Sequence, residues 1–211
     1  MNYQKPHLSF DDQIDLLESR GLSIYNKAYA KSRLNHINYY RLSAYFIPFQ
    51  DQKDTFISGT TFEAIIRLYT FDQEVRILIF NTIEKREIFL RTQIAYHFSK
   101  NYGAFGYLDK TNFNTDDKDF DWLQGEIQKE LARSKETFVN HYRTKYGSSD
   151  LPIWMVVEII SFGTLSKFYS CLKKEDAQAV CDGIALKPFI FKNWLHVLSY
   201  VRNICAHHAR V

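Results

Sequence analysis

The chain has 211 residues and a mass of 25.0 kDa; it is 45% hydrophobic and 16% aromatic, with a formal net charge of +3 from 27 Lys+Arg against 24 Asp+Glu. That suits one domain, or one domain with an extension, large enough to bury a core without disulfide or metal staples, and the aromatic content excludes disorder over most of the chain. With 8 Gly and 4 Pro, punctuation is too sparse for a many-turned β sandwich or barrel, and the charge alone does not announce a nucleic-acid partner.

In chain order, Ser9 and Asp12 form a capping box for a first helix that Gly21 stops. A second helix is predicted from Asn26 into Tyr45, with Leu34, Ile37, Leu42 and Tyr45 on its apolar side and Pro48 at its end. Gln50 to Thr60 reads as a loop or small hairpin. A long helix follows from Thr61 to about Lys100, free of Gly and Pro. It is apolar on more than one side and therefore central; so long a helix could also be broken. Asn101 to Asp117 is a loop, and Asp119 to Tyr146 a charged, mostly solvated helical stretch. Asp150 and Pro152 open a helix that Gly163-Thr164 bends or restarts. A short helix spans Glu175 to Cys181, and Pro188 starts the last one, Phe189 to about His208.

Cys171, Cys181 and Cys205 contain no CxxC pair, which argues against a disulfide framework or a zinc knuckle. Residues 1–6 hold no apolar run, so no signal peptide is expected, and no stretch is long enough to span a bilayer. The expected setting is the cytoplasm.

The last helix carries the candidate chemistry. At 100° per residue, Phe191, Trp194, Leu198, Val201 and Cys205 fall on one side, the predicted core seam. His196, Tyr200, Asn203 and His207 fall on the other, within roughly 60° of one another. Ordinary solvent faces are rich in Lys, Glu and Gln, so this stripe points to a substrate or partner surface. Arg202 and His208 flank it.

The segment Arg202-Asn203-Ile204-Cys205-Ala206-His207-His208 resembles the RNxxAHH signature of the Abi-like (abortive infection) family, which contains the R-x4-H ribonuclease motif of the HEPN superfamily. Tyr39-Tyr40-Arg41-Leu42-Ser43-Ala44-Tyr45 resembles the family's N-terminal block. Phe71-Asp72 and Ile83-Glu84 through Arg91 resemble its central block. Leu151-Pro152-Ile153-Trp154 with Glu158, and Ser161-Phe162-Gly163, resemble a third.

The resemblance implies an all-α, HEPN-like helical bundle (residues 61–211) with an N-terminal helical extension (residues 1–60). It implies a metal-independent endoribonuclease toxin of phage defence, with RNA as substrate and no cofactor. The residue types fit. RNA carries its own nucleophile in the 2′-OH, His titrates near neutrality, and Arg offers a fork to a charged phosphorus centre. His207 is read as general acid/base, Arg202 as phosphate stabiliser, Asn203 as orienting group and His208 as support. Arg202 and His207 diverge by about 140° on one helix, so a composite site in a homodimer is expected. An antitoxin, protein or RNA, is a possible further partner, and a membrane is not.

Further candidates carry two readings. Glu84, Glu87 and Arg91 share a face: an intrahelical Glu87–Arg91 pair, or Glu84 or Arg91 beside the catalytic helix. Glu158, inside an apolar stretch, should need a buried cation or donor, with Arg202 a candidate. Lys167, Lys173 and Lys174 contact RNA backbone or form a solvated face. His36, Tyr39, Tyr40 and Arg41 stack a base, or the tyrosines pack in the core. The competing functional classes are a non-catalytic RNA- or protein-binding module and a nucleotide-binding domain serving a separate transferase.

Overall fold

The computed structural model describes residues 6–51, 54–208 and 210. Among them run ten α-helices and three single-turn 3-10 helices, with isolated β-bridges and no strand. The protein is all-α. No helix among the described residues is long and apolar enough to cross a membrane. Packing divides the chain into two compact units, Met1–Ile77 with His208–Val211, and Leu78–His207.

The first unit opens with α1 (Phe10–Ser19). Ser9 Oγ accepts from the Asp12 amide and the Asp12 carboxylate accepts from the Ser9 amide, the predicted capping box. Gly21, at φ +89°, turns the chain out through a conformation that side chains resist. The single helix expected from Asn26 into Tyr45 is two: α2 (Lys27–His36) and α3 (Tyr39–Ser43). The break lies at Ile37 and Asn38. The Asn38 carboxamide accepts from the Tyr40 amide at 2.8 Å, a local bond that competes with helix continuation and restarts the chain. Leu17, Leu34, Leu42, Phe46, Phe62 and Ile65 fill the core of this unit. Beside them the Tyr45 hydroxyl donates to Asp72 Oδ2 at 2.6 Å, and Asp72 pairs with Arg76; both charged residues are buried. Buried ions persist only when paired in this way. Two of the sequence blocks, Tyr39–Tyr45 and Phe71-Asp72, therefore meet in one structural contact.

The helix α4 (Phe62–Tyr102) runs 41 residues without a break. Its length follows from serving two cores in succession: Phe62, Ile65 and Ile66 in the first unit, then Ile83, Leu90, Ile94 and Phe98 in the second. The second unit continues with α5 (Asp117–Arg133), α6 (Thr137–Tyr146), α7 (Ile153–Ile159), α8 (Phe162–Ser170), α9 (Lys174–Cys181) and α10 (Pro188–Ala206). Phe98, Phe113 and Phe168 meet ring to ring at its centre, with centroids 5.2–5.3 Å apart.

The stretch expected as one mostly solvated helix is α5 and α6. It breaks at Ser134–Glu136, where Arg143 Nη2 takes the Leu131 carbonyl at 2.6 Å. Leu123, Ile127, Leu131 and Val139 are buried, so its inner side is core. The bend expected at Gly163-Thr164 falls slightly earlier. Ile160 is extended, and Ser161 Oγ caps α8 by accepting from the Thr164 amide at 3.1 Å.

The seam of α10 is rotated from the expectation. Phe191, Leu195, Ser199 and Cys205 are buried and Leu198 and Val201 partly so, but Trp194 is 56% exposed. Leu195, flexible and unbranched at Cβ, fills the tight position instead.

Candidate functional site at the end of α10

Arg202, Asn203 and His207 sit in and just beyond the last turn of α10. Asn203 and His207 are exposed. His207 is the C-cap residue, its amide bonded to the Asn203 carbonyl at 3.0 Å. Arg202 turns inward. Its guanidinium stands over the Phe80 ring, Cζ 5.6 Å from the centroid, and its Nε lies 3.7 Å from Glu87 Oε2. That distance is too long for a hydrogen bond, and the Nε is buried with no hydrogen-bond partner among the described residues. Phe80, Glu84, Glu87, Ile88, Arg91 and Arg202 line one cavity of about 180 Å³.

Arg91 anchors this cavity. It is buried, pairs with Glu87, and donates to the carbonyls of Val157 and Ile160, the latter at 3.0 Å. These are orphan groups at the C-terminal end of α7, where a cation also opposes the helix dipole. Arg91 is thus committed to holding α4 and α7 together. Arg202 keeps unused donors. On the α4 face the Glu87–Arg91 pair exists, and Glu84 lies exposed on the rim of the cavity that Arg202 enters.

Glu158 departs from expectation. It is exposed, not buried, and lines a separate surface depression with Glu130, Arg133 and Lys135 rather than meeting Arg202. The apolar run around it is explained by Ile153, Val156 and Val157 facing inward, which leaves Glu158 on the outer side of a short helix. The cation that reaches the end of this segment is Arg91.

His208 takes a left-handed backbone, φ +55°, tolerable for His in a turn. It belongs to the first unit, where Arg41 Nη1 donates to its carbonyl at 2.6 Å. Arg210 Nη1 donates to the Ala44 carbonyl at 2.8 Å and its guanidinium stands over Tyr45. Of the neighbouring tyrosines, Tyr39 packs against the core and Tyr40 is 87% exposed. His196 and Tyr200 are exposed on the outer face of α10. Lys167 pairs with Asp119 at 2.5 Å, and Lys173 stands over the Tyr102 ring. No group of three His, Cys, Asp or Glu able to hold a metal ion occurs among the described residues.

Sequence reasoning missed Phe80. Its signal was present: Phe80, Glu84, Glu87 and Arg91 follow at helical spacings of four, three and four.

The chain is all-α, with Arg202 and Asn203 in the last turn of its final helix and His207 and His208 just past it. The chain matches the sequence profile of the Abi-like protein family over residues 32–211 and belongs to that family. In general terms this is a role in abortive infection, a form of phage defence. Searches of curated proteins and of solved structures return no significant match.

Proposed function

We propose that the protein is a metal-independent endoribonuclease of abortive infection, a HEPN-type toxin whose centre is Arg202, Asn203 and His207. The supporting observation is the split between these neighbours: Arg202 is half-buried with unused donors against Glu87 and Phe80, while Asn203 and His207 are open to solvent. In the reaction the RNA 2′-oxygen attacks phosphorus and the bond to the 5′-oxygen breaks. His207 takes the 2′-OH proton, and a second imidazole returns a proton to the leaving 5′-oxygen. Arg202 holds the charge that accumulates on the non-bridging oxygens, and Asn203 orients the imidazole or the phosphate.

One helix supplies one Arg and one His in different directions. A second copy of the chain, facing this one through the outer side of α10, completes the site. Exposed Tyr200, near the C-terminal end of that side, supplies apolar area there. An antitoxin of protein or RNA holds the activity in check in the cell.

Expression tests this reading. Wild-type chain should arrest growth and degrade cellular RNA, and His207→Ala should do neither at equal protein level. Arrest with intact RNA contradicts it.

A further inference from the structure

A cleft of the second unit lies away from Arg202, with a volume of about 960 Å³ between the start of α5, one face of α8, and α10. Small residues on α8 make room for it: Gly163, Ser166 and Ser170 follow at helical spacing along its wall. Its rim combines three chemistries. Trp122 offers an indole that is 47% exposed. Lys192 offers an ammonium that pairs with no carboxylate among the described residues. Asn114, Asn193 and His196 offer hydrogen-bonding edges. The acidic groups present are already committed. Asp116 caps α5 by accepting from the Asp119 amide at 2.8 Å, and Asp119 is paired with Lys167. Lys192 is therefore the one cation lining the cleft that no carboxylate pairs among the described residues, and Asp116 keeps its charge at the amide end of α5, where the helix dipole offsets part of it.

We propose that this cleft is a subsite for one unpaired nucleotide of the RNA, its base stacked on Trp122 and its phosphate on Lys192, with Asn193 and His196 reaching the base or sugar edge. An aromatic platform beside a lone cation is the pairing that single-stranded nucleic acid uses. A duplex, with its bases stacked inside, cannot offer one to Trp122. His196 stands on the same face of α10 as His207, eleven residues before it, about 16 Å along the axis. A few nucleotides of extended strand span that distance, so the subsite sets which phosphate reaches His207. The proposal takes its substrate from the ribonuclease reading.

The test uses fluorescence anisotropy of a labelled single-stranded 12-mer RNA with 2′-O-methyl riboses, which lacks the nucleophile and cannot be cut, with wild type, Trp122→Ala, Lys192→Ala and, as control, Trp154→Ala, a similarly exposed indole on α7 outside the cleft. Trp122→Ala and Lys192→Ala should each weaken binding by roughly 5- to 30-fold, and Trp154→Ala should leave it unchanged. The slope of log affinity against log salt should fall by about 0.7 for Lys192→Ala and stay fixed for Trp122→Ala. A folding defect would not sort the two in this way, and circular dichroism melts check that all variants are folded. Equal binding of duplex and single strand, or losses shared by Trp154→Ala, overturns the subsite. If RNA is cut in a His207-dependent manner while both cleft variants bind and cut like wild type, the subsite fails and the ribonuclease stands. If binding depends on Trp122 and Lys192 but no His207-dependent cleavage occurs, the subsite stands and the ribonuclease reading fails.

Discussion

Arg202 lies with its Nε 3.7 Å from the Glu87 carboxylate, close enough for attraction and too far for a hydrogen bond, while Arg91 is hydrogen-bonded to the same carboxylate and to two carbonyls at the end of α7. Two arginines thus share one glutamate with different duties. Arg91 satisfies the end of α7. Arg202 is held by charge and by Phe80 with donors to spare.

The stability of Arg91→Ala and Arg202→Ala should differ accordingly. Removing Arg91 strands the Val157 and Ile160 carbonyls and leaves Glu87 without its bonded partner, at about 3–5 kcal/mol. Arg202→Ala removes a partly exposed side chain and should cost less than about 1 kcal/mol. Urea denaturation of both variants measures the difference, and equal losses would show that Arg202 is merely structural.

Truncation along α10 should follow the observed seam. Leu195→Ala and Phe191→Ala should cost about 2–5 kcal/mol, and Trp194→Ala less than about 1 kcal/mol, since most of its surface is already in water. Chemical denaturation gives the order; a large loss at Trp194 would put that side chain in the core.

Alkaline stability reports on Tyr102. Its hydroxyl donates to buried Asp176 at 2.7 Å, and burial, then that bond, push it from 10.0 up to about 12. The unfolded chain releases this proton near pH 10, the folded chain near 12. Between those values the unfolded state binds fewer protons, so stability falls as pH rises; below pH 10 the contribution is complete. Urea midpoints from pH 9 to 12 should fall less steeply for Tyr102→Phe than for wild type. Parallel slopes would remove Tyr102 from the account.

Pairing of two copies should be visible by sedimentation. Tyr200→Arg places a charge on the outer face of α10 and should shift the protein toward monomer with loss of cleavage, while its melting temperature stays near that of wild type. A monomeric wild type that cuts RNA at micromolar concentration would contradict the composite site.

Much of the fold was legible. The capping box at Ser9, the Gly- and Pro-free run of α4, and Pro188 at the start of α10 are local signals, and local physics decides them. The break between α5 and α6 was not legible, because no Gly or Pro marks it and it is fixed by Arg143 reaching the Leu131 carbonyl. Glu158 misled because an acid in an apolar run reads as buried, whereas a seven-residue helix can turn one residue outward. The candidate motif residues stand out by type and spacing. That Phe80 shares the Glu84–Glu87–Arg91 face can be read from helical spacing, but that Arg202 meets this face cannot, since nothing in the sequence of α10 says which part of α4 it meets. The cleft at Trp122 was invisible because its walls come from three helices.

The central claim rests on His207, and one assay addresses it: purified protein incubated with single-stranded RNA in EDTA, with product ends identified by mass spectrometry, for wild type and His207→Ala. The account predicts cleavage by wild type alone, leaving a 2′,3′-cyclic phosphate and a 5′-hydroxyl. Cleavage that requires magnesium, or that His207→Ala performs at the wild-type rate, would contradict it.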